Sequence, residues 1–283
     1  MGQLMLGLVN GAFYAMLSLG LAVIFGLLDI VNFAHGALYM MGAFAAWILL
    51  DRFELNFWLA LIVAPLIVGA LGVAIERSML KHLYGLDPLY GLLLTFGLSL
   101  IFEGLFREQY GVSGKSYPVP ELLSGATDIG FMVLPNYRAF VVFASLVVCL
   151  GTWLLIERTR LGAYLRAGTE NARLVQAFGV NVPLMVMLTY GAGAGLAAMA
   201  GVLAAPVIQV TPLMGSNLII VVFAVVVIGG MGSILGSVLT GLGLGVIEGM
   251  TRVFYPEASS VVVFVVMVIV LILRPAGLFG KET

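Results

Sequence analysis

Asn56–Ile75 reads NFWLALIVAPLIVGALGVAI, twenty residues without one charged side chain. A helix rising 1.5 Å per residue needs about 20 apolar residues to cross the ~30 Å hydrocarbon core of a bilayer, so this stretch predicts a spanning helix. Glu76 and Arg77 close it abruptly. Comparable runs, each bounded by charges or turn residues, fall at roughly 4–28, 31–50, 89–106, 138–156, 183–206, 217–231, 233–250 and 259–273. The expected fold is therefore all-α and polytopic, with about eight to ten transmembrane or re-entrant helices in a single domain over 1–283. Thr211–Ser216 is the candidate opening of a re-entrant segment.

Composition agrees with the runs. The chain is 62% hydrophobic and 10% charged, with a mean hydropathy of +1.15. A soluble domain carries about 25% charged residues, so this chain lacks the polar surface that water requires. A net charge of −1 offers no basic patch and argues against nucleic acid. Cys149 is the lone cysteine, so neither a disulfide framework nor a Cys/His metal set is expected. No Lys or Arg precedes the first apolar run, as a cleaved signal peptide would need, and Leu6 stands where a myristoylation motif wants Ser or Thr. The 36 glycines exceed what a bundle of plain rods would use, and predict close helix approaches or broken helices.

Basic residues near helix ends set the expected orientation. Arg77, Lys81, Arg158, Arg160, Arg166, Arg173, Arg274 and Lys281 fall on one side under alternating crossings; Arg52, Arg107, Lys115, Arg138 and Arg252 fall on the other. The first side, with the C-terminus, is expected to be cytoplasmic.

Two connections are long. The outer one, about 107–137, holds Pro118, Pro120 and Pro135 and predicts an ordered loop or short lid. The inner one, about 157–182, holds four arginines and two glutamates. Within it Glu170–Phe178 (ENARLVQAF) predicts a short amphipathic helix with Ala172, Val175, Ala177 and Phe178 on its apolar side, ended by Gly179. A polar helix on a membrane protein's inner face suits docking by another protein.

The most polar stretch at membrane depth is Asp29-Ile-Val-Asn32-Phe-Ala-His35-Gly36. Such groups cost several kcal/mol in hydrocarbon unless paired or facing a water-filled cavity. Asn32 and His35 therefore either line a substrate pathway at a helix break, or serve the fold, Asn32 as a cap and His35 as an interhelical hydrogen bond. Glu103 and Glu248 carry the same two readings: an ion pair four residues on, with Arg107 and Arg252 respectively, or a guide for a ligand's ammonium group. Gly26–Gly36 and Gly229–Gly241 echo each other as glycine-rich junctions in the two halves, a pattern that points to a pathway.

Other patterns carry no chemistry. Gly111-Val-Ser-Gly114-Lys115-Ser116 lacks the first glycine of a phosphate-binding loop, since Gln109 stands in its place. Gly232-Ser-Ile-Leu-Gly236 and Gly191-Ala-Gly-Ala-Gly195 are helix-packing patterns. His35 and His82 are far apart, and no serine or cysteine has a paired base. Neither a catalytic set nor a metal site is expected, and the chain has no nucleotide-binding motif of its own.

Asn32-Phe-Ala-His35-Gly36, the Arg160-Leu-Gly162…Arg166-Ala…Ala172…Gly179-Val-Asn181 loop and the closing Arg274-Pro275-Ala-Gly277-Leu-Phe-Gly280 resemble the branched-chain amino-acid permeases of bacterial ABC importers. Thr95-Phe-Gly-Leu-Ser99 and Gly229-Gly230-Met231-Gly232-Ser233 fit the same pattern, and the LivH-type half is the closer match. The resemblance implies the ABC importer permease fold and a multi-pass place in the bacterial inner membrane. It implies three kinds of partner besides lipid: a second permease subunit in a heterodimer, two cytoplasmic ATPases that bind ATP, and a periplasmic substrate-binding protein. It makes the inner loop a coupling segment, with Arg166, Glu170, Ala172, Arg173, Phe178 and Gly179 as contact residues. Glu170-Asn171-Ala172, with Gly179 seven residues on, departs from the EAA-type coupling signature of other importers. Branched-chain or other hydrophobic amino acids are the expected cargo; urea, amides or aromatic acids are the alternative within the family. An ion-coupled secondary transporter is the rival from another class, and would want carboxylates at midmembrane.

Overall fold

The computed structural model describes residues 2–28, 31–128, 130 and 133–280. Asp29, at the expected junction, and Lys281, at the expected inner side, lie outside the described residues. Eleven α-helices are present among those described: α1 (Gly2–Leu28), α2 (Ala34–Phe53), α3 (Phe57–Ser78), α4 (Pro88–Tyr110), α5 (Asn136–Arg158), α6 (Arg160–Glu170), α7 (Ala172–Ala177), α8 (Val182–Ala204), α9 (Met214–Gly229), α10 (Ile234–Phe254) and α11 (Val262–Leu273). Seven of them are long and apolar enough to cross a membrane; α9 and α11 are apolar but shorter. The chain is thus an all-α, polytopic membrane protein.

Four of the seven spanning helices, α3, α4, α8 and α10, start where a side chain accepts from their free N–H groups. The Asn56 side chain accepts from Leu59 N–H, Asp87 from Leu89 with Pro88 at the first position, Asn181 from Leu184, and Ser233 from Gly236. Pro65 sits inside α3 and is buried, the setting in which neighbouring helices let a membrane helix keep a proline.

Helices α1, α2 and α8 form the centre, while α4 and α5 expose apolar faces at the periphery. Antiparallel α1 and α10 pack backbone against backbone: a methyl on Gly7 would lie 2.4 Å from Gly245 O, and one on Gly241 2.6 Å from Ala15 N. The small-residue rule for membrane helices operates here directly. Ser18 Oγ, buried in the same seam, donates to Ser237 O at 3.2 Å or to Ala15 O at 3.1 Å. Gly69 and Gly72 of α3 meet Gly191 and Ala194 of α8 in the same manner.

Among its described residues the connection over 107–137 carries regular structure. Helices α4 and α5 take up its ends, and its middle forms a hairpin of β1 (Ala126–Asp128) and β2 (Val133–Pro135). Lys115 and Val210 exchange backbone hydrogen bonds at 2.9 Å, tying this loop to the segment after α8. That segment, 205–213, descends before α9 begins at Met214, three residues before the expected 217. Its first turn lies against Gly36 of α2: a methyl on Gly215 would be 2.1 Å from Gly36 O, and one on Gly36 2.7 Å from Gly215 O. Sixteen residues give α9 a length of about 24 Å, short of the ~30 Å core, because it starts inside.

The inner connection differs from the single helix expected over 170–178. Glu170 ends α6, Asn171 turns the chain out of helix (φ −152°, ψ 87°), and its side chain then accepts from Leu174 N–H at 2.9 Å to start α7. An Asx cap in midsegment breaks the helix in two. Gly179 takes φ +84° just beyond α7, the left-handed conformation that glycine tolerates at a helix end.

Candidate functional site

The break between α1 and α2 lies within the membrane. Asn32 meets Tyr190, eight residues into α8, and Phe33 meets Thr95, seven residues into α4. At 1.5 Å per residue both contacts are roughly 10–12 Å inside the helix ends. Non-helical backbone at that depth must be satisfied by protein. Thr95 Oγ1 accepts from Phe33 N–H at 3.1 Å and lies 3.2 Å from Val31 O, to which it can donate. Phe33 itself packs between Phe96 and Phe223, with ring centroids 5.9 and 4.8 Å away.

Asn32 and His35 are both fully buried. Asn32 does not cap α2; no side chain does. Its Nδ2 donates to the Tyr190 hydroxyl at 3.1 Å, because the chain approaches α8 before it turns into the helix. His35 Nε2 sits 3.0 Å from Leu17 O of α1. A carbonyl can only accept, so Nε2 carries the proton and Nδ1 is left as a lone-pair acceptor. Asn32 Oδ1 and His35 Nδ1 have no hydrogen-bond partner among the described residues. Two unsatisfied acceptors thus stand three residues apart at one intramembrane break.

The two carboxylates part company. Glu103, half-buried on α4, accepts from the Ser216 hydroxyl in the first turn of α9 and not from Arg107. The start of α9 inside the bundle brings Ser216 to it, which the sequence spacing did not predict. Glu248 pairs with Arg252 as expected, and its other oxygen accepts from Tyr14 Oη of α1 at 2.7 Å. The carboxylate is 8% exposed and held from two helices. Asn32 and His35 share the break, where His35 N–H donates to Asn32 O at 3.3 Å; Glu103 and Glu248 hydrogen-bond elsewhere, to Ser216 and to Tyr14 and Arg252.

The glycine-rich junctions do meet. A methyl on Gly26 would lie 3.2 Å from Gly232 Cα. The contact between Gly36 and Gly215 adds a second meeting point, between the first turns of α2 and α9.

On the face that carries α6 and α7, Phe178 is 79% exposed and Leu174 55%, while Arg173 and Glu170 are exposed beside them. Arg166 bonds back to Glu157 at 3.3 Å, both half-exposed, a pair of at most a few tenths to 1 kcal/mol. Ala172 is half-buried against the body of the chain.

A cavity of about 870 Å³ opens beside this segment. Glu76, the last buried residue of α3, lines it and accepts from Tyr84 Oη at 2.9 Å. Burial first, then the hydrogen bond and charge of Glu76, push the Tyr84 hydroxyl well above its usual range, so it remains a neutral donor. Glu76, Tyr84, Thr95, Tyr190 and Ser216 are the polar residues that the sequence did not single out for a role. Thr95 opens the quoted Thr95-Phe-Gly-Leu-Ser99 stretch, and Glu76 directly follows the apolar run of α3; those were the available signals.

The sequence profile of the family described as branched-chain amino acid transport system / permease component matches residues 3–271. The chain belongs to this family. This permease is similar to the high-affinity branched-chain amino acid transport system permease protein BraD of Pseudomonas aeruginosa, 33% identical over 99% of this chain and 95% of that protein. LivH of Escherichia coli is 27% identical over the same shares, and LivM of Escherichia coli, also titled a permease of such a system, is 27% identical over 94% of this chain and 67% of its own. No solved structure matches.

Proposed function

We propose that this permease is one half of the translocation pathway of a bacterial ABC importer for branched-chain or other hydrophobic amino acids. A second permease subunit of the LivM kind completes the pathway, two separate ATPases bind the ATP and drive it, and a periplasmic binding protein delivers the cargo. The face bearing α6 and α7 is then cytoplasmic, as the balance of basic residues suggests, and the membrane is the bacterial inner membrane.

The observation that carries this reading is Phe178. A side chain 79% exposed, next to exposed Leu174 and Arg173, is an apolar knob on a charged, water-facing segment. Such a knob is the expected shape of a residue that seats in a partner's groove. Arg166, Glu170, Ala172 and Gly179 shape the two-part segment that presents it. Within the membrane, Asn32 and His35 supply hydrogen-bond acceptors for the cargo's ammonium group as the helices part, with Glu103 and Glu248 at other levels of the path. A nonpolar side chain needs few polar points beyond these.

The test is the assembled complex in nanodiscs with Phe178→Ala and Arg173→Glu. Substrate-stimulated ATP hydrolysis is expected to fall by about tenfold or more, the cost of removing one buried interface anchor, while the permease alone keeps its thermal stability. Stimulation at the wild-type level would remove the coupling role. Binding of leucine against urea and aromatic acids by the cognate binding protein decides the cargo.

A further inference from the structure

The Glu76 cavity has a use that the transport path does not assign. Glu76 is 3% exposed, yet it lines the cavity, and no cation lies within ion-pair distance of it among the described residues. Its one bond, from Tyr84, satisfies one oxygen. A carboxylate this buried is costly unless a positive charge or a proton meets it. The cavity also holds the exposed cations Arg77 and Lys81, and an apolar wall from Leu83, Leu184 and Val186. One buried anion, a second carboxylate at the exposed Asp87, two cations and an apolar wall in about 870 Å³ complement a small zwitterion with a hydrophobic tail.

We infer that this cavity binds a zwitterion through its primary ammonium group at Glu76, with Arg77 and Lys81 taking the opposite charge. The inference rests on the importer reading, which puts the cavity on the cytoplasmic side. Two molecules share that chemistry there: the free amino acid after release, and the headgroup of an aminophospholipid. Gly168 of α6 and Gln176 of α7 form another part of the wall. The ligand therefore sits between the membrane helices and the segment that meets the ATPase.

The experiment uses the full permease complex, without binding protein, in nanodiscs made either of phosphatidylglycerol alone or with phosphatidylethanolamine. Radiolabelled L-leucine is titrated, with 4-methylpentanoate, which lacks the ammonium, as competitor. Saturable leucine binding in phosphatidylglycerol, not displaced by 4-methylpentanoate and weakened about 10- to 100-fold by Glu76→Gln, is expected for the amino acid. Selective retention of phosphatidylethanolamine by native mass spectrometry, lost in Glu76→Gln, assigns the same site to the lipid. Glutamine keeps an acceptor for Tyr84; should assembly nonetheless suffer, Lys81→Glu on the exposed wall must weaken binding of the same ligand. Binding of neither molecule, or binding indifferent to both substitutions, overturns the inference. Failure of the importer reading shows separately, as loss of leucine-stimulated ATP hydrolysis in the wild-type complex with binding protein added.

Discussion

Replacing Thr95 by valine removes one hydroxyl from a helix that otherwise keeps its shape, since both side chains are β-branched and nearly equal in volume. That hydroxyl accepts from Phe33 N–H at 3.1 Å and can donate to Val31 O at 3.2 Å. Its alternative acceptor, Leu92 O at 3.1 Å, belongs to the same helix and loses little. Interhelical side-chain hydrogen bonds in membranes average about 0.6 kcal/mol, because a freed side chain finds another partner. The backbone of a fixed break has no such freedom. Phe33 N–H would be stranded at membrane depth, and a buried unsatisfied group costs about 1–3 kcal/mol. We expect Thr95→Val to destabilise by about 2 kcal/mol, roughly 30-fold in the folded-to-unfolded ratio. Thr95→Ser keeps the hydroxyl and loses a methyl, at about 0.8 kcal/mol. Reversible unfolding of the chain in mixed detergent–SDS micelles measures both. A valine variant no less stable than the serine variant would refute the claim that Thr95 holds the break.

At the meeting of α2 and α9, Gly215→Ala forces a methyl to within 2.1 Å of Gly36 O, where backbone stands on both sides. The cost should reach about 3 kcal/mol or more, whereas Gly97→Ala, with open space around it, should gain up to about 1 kcal/mol from helix propensity; equal effects in the same assay would contradict the packing. Tyr14→Phe strips Glu248 of one donor while Arg252 keeps the other oxygen, for an expected loss of about 1.5–3 kcal/mol. Combined with Glu248→Gln, the losses should fall short of additive, and strict additivity would argue that the pair is not coupled.

The spanning helices were legible because hydrocarbon imposes a length and a composition on each one separately. Asn56–Ile75 announces α3 without reference to any other residue. The break near Asn32 was legible too, since polar groups in an apolar run need an explanation. What faces them was not. Tyr190 and Thr95 lie 158 and 62 residues away from their partners, and nothing in local periodicity selects one hydroxyl among several. Glu103 shows the same limit: the nearest arginine on its helix was the natural guess, and the early start of α9 supplied Ser216 in its place. The inner segment was recognised by charge, but the turn at Asn171 divides what its amphipathic pattern joins.

The seam between α1 and α10 has a mechanical consequence. Side chains cushion most helix contacts, and by changing rotamer they let one helix slide past another in small steps. Glycine leaves nothing to rearrange. Along Gly7, Gly11, Gly241, Gly245 and Gly249 the two main chains touch directly, so any slip by one residue drives a neighbouring Cβ into backbone. This pair behaves as one keel, either seated or torn apart. Motion that opens a path is then expected away from this seam, where side chains rather than main chains meet.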